Sequence, residues 1–438
     1  MTGNRGLIEQ ARSGLSRRRL VAASASGAAL LGAGRAVAGA EKTLRIGFIS
    51  PRSGALGAFG AGDPFILDLA RKALAGGLTV GDTTYAVTII DRDSQSDPTR
   101  AGKLARDLIH GEGIDLMLAT STPEVVNPVA DVCEAAGMPC MSTIVPWESW
   151  YYGRGARPGQ PSPFTWSFLF CFGVKQFAEV YVSTWGGPVR TNKRVGVLAP
   201  DDADGNAVRH SLFPLLAKAG YDIVDPGGYQ VGTSDYSSQI AKFKRAGCEI
   251  LNGFPIPPDF DRFWRQAAQQ GLAQRIRILE PAKTGIFPAQ VKALGPLGTG
   301  ITSATFWHPV FPYASPVTGI ASTHLASLYE QRTGRQWEQN LGGTMSLIDV
   351  AVAALRASGA PRHKAKLAQA MKVLRAKTIV GEVDFRTGPV PHVATTNLIG
   401  AQWVKAKPGS KYDLDYVTVE HAEDHAVPVQ AKLARYRL

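Results

Sequence analysis

The sequence has few cysteines and lacks the short motifs that identify several common classes of enzyme. Four cysteines occur in 438 residues and none forms a Cys-x-x-Cys pair, so neither a disulfide-rich scaffold nor a zinc ribbon is indicated. Gly-x-Ser-x-Gly, Gly-x-x-x-x-Gly-Lys-Ser/Thr and His-Glu-x-x-His are also missing. We therefore expect a protein that is not an enzyme and holds neither a cofactor nor a metal.

Two further features argue against a cofactor or metal site. The stretch "SGALGAFGAG" (53–62) follows an apolar run and precedes a helical pattern, but its one Gly-x-Gly pair, Gly60 and Gly62, has Phe65 where a dinucleotide loop needs glycine. The stretch is then either a flexible loop without a ligand or a loop whose backbone approaches a small solute. His421 and His425 have i, i+4 spacing, but in a charged tail they read as a solvated pair.

A long hydrophobic run is also missing, and the apolar segment near the N-terminus resembles an export signal. Three arginines at 17–19 precede the segment from Val21 to Gly34, which is too short to cross a bilayer of about 30 Å. Small residues follow, as at a signal cleavage site, and "SRRRL" (16–20) resembles a twin-arginine signal. We expect residues 1–40 to be removed and the remaining chain to be periplasmic.

Charge gives little support for a nucleic-acid partner. The formal net charge is +12, and it falls to +7 when residues 1–40 are removed. The remaining basic residues are scattered and form no stripe interleaved with aromatic side chains, so nucleic-acid binding is not expected. Because a chain folded before export would form its core with reduced thiols, we also expect mostly buried, free cysteines.

From residue 44 onward, short apolar segments alternate with amphipathic ones. Strand-like "LRIGFIS", "IDLMLAT" and "PCMSTI" alternate with helical patterns, and after an aromatic, Gly/Pro-rich break at 150–166 the order restarts at "KRVGVLAP". Three helical segments follow between 318 and 376, and strand-like "NLIGAQWV" and a polar tail close the chain. The pattern predicts two α/β units, each with a mostly parallel sheet flanked by helices.

The chain resembles the type I periplasmic solute-binding proteins, and its leucine/isoleucine/valine-binding branch in particular. The resemblance lies in the glycine loop, in "DRDSQSDPTRAGKLARD", in "ATSTPEVVNPVADVCEAAGMP" and in "GTSDYSSQIAKFKRAGCEILNG". It implies a two-lobed α/β fold with the ligand cleft between the lobes. It also implies delivery of a small-molecule solute to an ABC importer permease in the membrane. We assign 41–170 plus 305–378 to lobe 1 and 171–304 plus 379–438 to lobe 2, and we expect a monomer.

The resemblance also implies a set of ligand contacts. Small hydroxyl residues after two strands would meet a carboxylate, aromatic side chains would cover the solute, and an acid from lobe 2 would meet an amino group. The predicted ligand-binding residues are Phe59, Ser121, Thr122, Ser142, Thr143, Trp147, Asp204, Phe254, Glu280 and Trp307.

Some of these predictions have alternatives. Thr122 precedes a helix and could cap it, with or without contacting a ligand. Trp147 and its aromatic neighbours, like Trp307, fit packing at a chain crossing as well as ligand contact; as ligand contacts they would favour an aromatic or larger carboxylate over an amino acid. For the whole protein, the alternatives are a module that reports its ligand to a receptor or regulator, and an exported enzyme that uses the same cleft.

Overall fold

The computed structural model describes residues 42–422 and 424–438. The predicted export signal at 1–40 lies outside the described residues. Leu44–Leu438 form one compact unit. None of the helices in the described ranges is long and apolar enough to cross a membrane.

The order of elements follows the alternation read from the sequence. The strands are β1 (Thr43–Ser50), β2 (Leu78–Val80), β3 (Thr83–Asp93), β4 (Leu116–Thr120), β5 (Cys140–Thr143), β6 (Ser167–Phe170), β7 (Arg194–Leu198), β8 (Asp222–Val224), β9 (Ile250–Gly253), β10 (Ile278–Pro281), β11 (Thr302–Thr305), β12 (Arg375–Thr378), β13 (Gly381–Asp384), β14 (Val393–Ala394), β15 (Ile399–Lys405) and β16 (Leu414–Glu420). The helices are α1 (Asp63–Ala73), α2 (Pro98–Asp107), α3 (Pro123–Ala135), α4 (Trp147–Tyr151), α5 (Val174–Trp185), α6 (Ala203–Ala207), α7 (Phe213–Lys218), α8 (Ser237–Ala246), α9 (Pro257–Gln269), α10 (Pro288–Ala293), α11 (Ser322–Thr333), α12 (Asn340–Ala357) and α13 (Lys364–Lys372).

The first lobe is built on a seven-stranded sheet in the order β14-β6-β5-β4-β1-β3-β2. The pairs β1–β4, β4–β5, β5–β6 and β6–β14 are parallel, with Phe48 opposite Leu118 and Met141 opposite Phe168. Every residue of β4 and β5 is buried, which explains why these strands are continuous apolar runs rather than alternating ones.

The second lobe is built on a four-stranded parallel sheet in the order β10-β9-β7-β8. An antiparallel sheet in the order β11-β15-β16 lies beside it, joined by a bridge between Leu279 and Ile301. The prediction of an α/β protein with two mostly parallel sheets is therefore confirmed.

The C-terminal tail is more regular than the sequence suggests. The segment expected to be only a polar tail contains β16, whose partner is β15. Beyond it, the Tyr436 N–H donates to the Arg277 carbonyl over 2.8 Å and the Tyr436 hydroxyl donates to the Leu297 carbonyl over 3.0 Å. The chain end is thus packed against the second lobe, with the Tyr436 side chain buried.

The lobe boundaries stay predictions, but two pairings bear on where the chain crosses. β14 pairs with β6 of the first sheet, although residues 379–438 were assigned to lobe 2. β15 pairs with β11 beside the second sheet. These pairings favour a last crossing between residues 394 and 399 rather than at 379.

Two local features bear on the site. Asp97 caps α2 by accepting a hydrogen bond from the Arg100 N–H over 2.5 Å. Asp63 is the first residue of α1, and its buried side chain accepts a hydrogen bond from the Thr344 hydroxyl at 2.7 Å. All four cysteines are free and buried, as predicted.

Candidate functional site

A cavity lies where the carboxyl ends of the two parallel sheets face each other, the position at which open α/β sheets bind ligands. Its volume is about 50 Å³, several times the space that one water molecule needs. Its lining residues are Phe59, Thr122, Ile144, Pro146, Phe172, Phe177, Asp204, Phe254, Ala282, Lys283, Ile286, Ala304 and Phe306.

Five of the thirteen residues that line the cavity are phenylalanines. Phe177 and Phe254 meet edge to face with ring centroids 5.5 Å apart, and Phe172 stacks on Phe306 at 5.6 Å. Phe59 meets Phe287 edge to face at 4.8 Å, so this pair joins the first cleft loop to the second lobe. Such a wall favours a solute with a compact apolar or aromatic body.

The polar part of the cavity is an ion pair in the second lobe. The Lys283 ammonium lies 2.6 Å from an Asp204 carboxylate oxygen, and both side chains are nearly buried. Burial would lower the pKa of Lys283, but the carboxylates of Asp204, Glu124 and Asp202 raise it above its usual value, so the ammonium stays charged. Because three acids surround one lysine, the charges here are acidic on balance.

Two side-chain oxygen atoms of cavity-lining residues have no hydrogen-bond partner in the described part of the chain. One is the Thr122 hydroxyl and the other is the Oδ1 atom of Asp204. The Thr122 side chain makes no capping bond to α3, so the capping alternative is not realised. Buried polar atoms without partners are costly, and a bound solute would relieve that cost.

Strained backbone lies beside the cavity in the first lobe. Ser121, Thr122 and Ile144 have φ angles of 71°, 65° and 59°, which residues other than glycine rarely adopt. The Ser121 N–H donates to the Thr143 carbonyl at 3.4 Å and the Thr122 N–H donates to the Ile144 carbonyl at 3.3 Å, which links the ends of β4 and β5. Strain of this kind concentrates at functional sites.

The structure brings four of the ten predicted residues to the cavity: Phe59, Thr122, Asp204 and Phe254. Three predicted hydroxyl residues lie behind the wall instead. The Ser121 hydroxyl donates to the Phe59 carbonyl over 3.3 Å and the Thr143 hydroxyl donates to the Phe170 carbonyl over 2.8 Å. Ser142 is fully buried, 3.8 Å from the Cys140 sulfur. Their polar atoms thus stabilise the backbone or the core and do not face the cavity.

The remaining predicted residues also lie away from the cavity. Trp147 packs against Tyr151 and Tyr152, and its backbone N–H donates to the Phe172 carbonyl. These contacts agree with the alternative of packing at a chain crossing. Trp307 is fully buried, and its indole N–H donates to the Ser322 hydroxyl at 3.1 Å.

Glu280 is turned into the core of the second lobe rather than towards the cavity. Its carboxylate accepts from the Thr302 hydroxyl. Burial raises the pKa of Glu280 to about 7, which favours the neutral acid. The lobe 2 acid on the cavity wall is therefore Asp204.

Most of the apolar wall was missed from the sequence. Phe177 lies on α5, a helix that was not predicted, although Phe177, Tyr181 and Trp185 follow one another at helical spacing. Lys283 is not among the predicted ligand-binding residues, although it lies just after the end of β10.

Comparisons with known proteins agree with this geometry. A family model described as periplasmic binding protein matches residues 43–408. The chain belongs to the periplasmic binding protein family. No curated protein matches the sequence.

Solved structures of other periplasmic binding proteins show the same two-lobed fold. One is a leucine-binding protein from Thermotoga maritima, with a TM-score of 0.68, 17% identity, and coverage of 87% of this chain and 100% of that one. Another is a solute-binding protein of an ABC transporter from Rhodopseudomonas palustris in complex with 3,4-dihydroxybenzoic acid, with a TM-score of 0.67, 17% identity, and coverage of 88% and 99%. A third is a branched-chain amino acid binding protein from Streptococcus pneumoniae in complex with isoleucine, with a TM-score of 0.66, 14% identity, and coverage of 86% and 100%.

Proposed function

We propose that this chain is the extracytoplasmic solute-binding protein of an ABC importer, which encloses a compact organic solute and delivers it to a membrane permease. The observation that carries this proposal is a cavity between two lobes, lined by phenylalanines and one buried ion pair. The proposal includes binding without chemical turnover, a monomer, and export through the twin-arginine signal with removal of residues 1–40. No feature of the described residues favours the alternative of a module that reports to a receptor.

Each group on the cavity wall has a role in this proposal. Closure of the lobes buries the apolar part of the solute against Phe59 and Phe254 and excludes water. Exclusion of water strengthens the attraction between the charged groups of the solute and Lys283 or Asp204. Thr122 donates or accepts the remaining hydrogen bond. The closed form is then the one that a permease recognises.

Two solute classes match the groups on the cavity wall and are distinguished by Asp204. An α-amino acid with an apolar side chain would place its ammonium on the free oxygen of Asp204 and its carboxylate near Lys283 and Thr122. An aromatic carboxylate would use only Lys283 and Thr122, and Asp204 would repel it. The acidic balance around Lys283 favours the amino acid, whereas the phenylalanine wall suits either class.

Binding to ligand-stripped protein that starts at residue 41 tests the function. We expect saturable binding and a raised melting temperature with one class in a panel of apolar α-amino acids, benzoate and hydroxybenzoates, because a ligand at about 100 times its Kd adds about 2.7 kcal/mol. Recovery of the unchanged solute separates binding from turnover. Absence of saturable binding across the panel would contradict the proposal.

The Asp204→Asn variant then identifies the class. Amino-acid affinity should fall at least tenfold, while affinity for an aromatic carboxylate should stay or rise. Thr143→Val is the matched control, because its hydroxyl lies behind the wall and bonds to the Phe170 carbonyl.

A further inference from the structure

Asn340, the first residue of α12, lies behind the cavity wall and bonds to the loop that carries Phe59. Its side-chain Nδ2 atom donates to the Phe59 carbonyl over 2.5 Å. Asn340 is 1% exposed, so water has little access to this bond. Asn340 is not a lining residue of the cavity. Its effect on a solute would therefore pass through Phe59.

The first cleft loop at 53–62 has little regular structure of its own. It contains a single 3₁₀ turn, Gly57–Gly60, which has no side-chain cap. The hydrogen bonds of such a short turn have poor geometry and stabilise it weakly. Contacts from other parts of the chain must therefore fix the direction of the Phe59 ring.

Side chains from three other elements anchor the backbone of this loop. The Ser96 hydroxyl accepts from the Leu56 N–H at 3.0 Å and so holds the first half of the loop. At the Phe59 carbonyl, the Asn340 bond of 2.5 Å is accompanied by a longer bond of 3.3 Å from the Ser121 hydroxyl. Loss of the Asn340 amide would leave this carbonyl with the longer bond.

The start of α12 is closely packed and can support this contact. A Cβ atom at Gly62 would lie 2.7 Å from the Leu341 Cδ2 atom, so the end of the loop packs directly on the helix. One residue before Asn340, the Gln339 Oε1 atom accepts from the Phe306 N–H at 3.1 Å. Since Phe306 also lines the cavity, neighbouring amide side chains are bonded to two parts of its wall.

From this geometry we infer that Asn340 is a positioning residue, which sets the direction of the Phe59 ring towards the solute and towards Phe287. Phe59 and Phe287 meet edge to face at 4.8 Å, so the placement of this ring also affects the contact between the lobes. Edge-to-face contacts depend on ring direction, and a loop that can shift weakens them. The effect on binding rests on the proposed function, whereas the placement of the loop does not.

Hydrogen exchange in the solute-free protein tests the placement of the loop. Asn340→Leu removes the donor and keeps a side chain of similar volume. We expect the backbone amides of 53–62 to exchange about tenfold faster, measured relative to the amides of β4, because the loop then opens locally.

Asn252→Leu is the matched control for this experiment. Asn252 is also 1% exposed, and its Nδ2 atom donates to the Glu280 carbonyl over 3.0 Å. The Oδ1 atoms of both asparagines lack a hydrogen-bond partner in the described part of the chain. Both variants should lower the free energy of unfolding, but Asn252→Leu should leave exchange in the loop unchanged. Denaturation curves confirm that each variant is folded.

A double-mutant cycle with the ring tests the effect on binding, with benzoate and isoleucine as the probes. Asn340→Leu should weaken the probe that binds by about fivefold in the parent protein. In the Phe59→Ala background the same change should weaken it by less than about twofold, because the ring is then absent. A residue that served only the stability of the fold would lower the affinity by the same factor in both backgrounds.

The outcomes separate this inference from the proposed function. Unchanged loop exchange in Asn340→Leu, equal acceleration in Asn252→Leu, or an equal loss of affinity with and without the Phe59 ring would each overturn the inference. If the parent protein binds no solute of the panel, the proposed function is contradicted, and exchange in the loop alone decides whether Asn340 positions Phe59.

Discussion

The two lobes contribute different chemistry to the same cavity. The first lobe supplies shape: a phenylalanine from its first loop, a strained backbone at the ends of β4 and β5, and the single hydroxyl of Thr122. The second lobe supplies most of the charge, since Asp204 and Lys283 both follow strands of its parallel sheet, and the first lobe adds only Glu124 near Lys283. The comparison suggests that one lobe fixes where a solute sits and the other selects the charge that it carries.

Of the changes considered, loss of the buried Lys283 should have the largest effect. Lys283→Met leaves Asp204 and its acidic neighbours without a cation, so we expect the free energy of unfolding to fall by about 3–5 kcal/mol. Chemical denaturation measures the change. The double variant Lys283→Met/Asp204→Asn should recover much of the lost free energy of unfolding. An equal loss in the single and the double variant would show that the two residues are not coupled.

Glu280, the acid that faces the core of the second lobe, should make the stability of the protein depend on pH and should not affect solute binding. Its folded pKa is raised from 4.5 to about 7, so Glu280 stabilises the fold at low pH and that contribution is lost as the pH rises through 7. We expect a loss of up to about 3 kcal/mol between pH 4.5 and pH 8. Glu280→Gln should flatten this part of the stability curve.

Solute affinity of Glu280→Gln should match that of the parent protein. A tenfold loss of affinity in this folded variant would contradict the placement of Glu280 in the core and would bring it back among the ligand contacts.

The hydroxyl of the first lobe should affect binding without affecting stability. Thr122→Val removes an oxygen that has no partner in the described protein, so the free energy of unfolding should stay level or rise. Solute affinity should fall about tenfold, or about 1.4 kcal/mol. Thr143→Val should do the reverse, with lower stability and unchanged affinity. Identical behaviour of the two variants would remove the distinction between them.

The smallest effect should come from exchanging one ring in each lobe. Phe59→Leu and Phe254→Leu each remove an aromatic contact on the wall. Each should weaken the binding of an aromatic solute by about 1 kcal/mol. Titration calorimetry measures both variants. A loss confined to one lobe would show that the solute stacks on that lobe alone.

The sequence allowed the fold to be predicted because each strand is a short apolar run between helices with clear start signals, such as Asp97 at α2. It allowed strand-end residues to be predicted, but not their orientation. Thr122 and Thr143 both follow the pattern of small hydroxyls, yet only Thr122 lines the cavity, while the Thr143 hydroxyl bonds to the Phe170 carbonyl of the neighbouring strand.

Long-range packing also limited the prediction. Glu280 and Asp204 are both acids near strand ends, and they differ only in their partners. Glu280 accepts from Thr302 in the core, whereas Asp204 pairs with Lys283 on the cavity wall. Phe172 and Phe306 are far apart in the chain and stack only after it has crossed between the lobes, which no local pattern encodes.

The four free, buried cysteines have a practical consequence. Thiols that solvent does not reach react slowly with maleimide dyes, so the natural protein should label poorly in its folded state. A single cysteine introduced at the exposed Ala289, which lines a groove together with Gly57 and Ala58 of the first lobe, would then carry the dye almost alone. Fluorescence from that position would report lobe closure directly and would turn the protein into a sensor for its own solute.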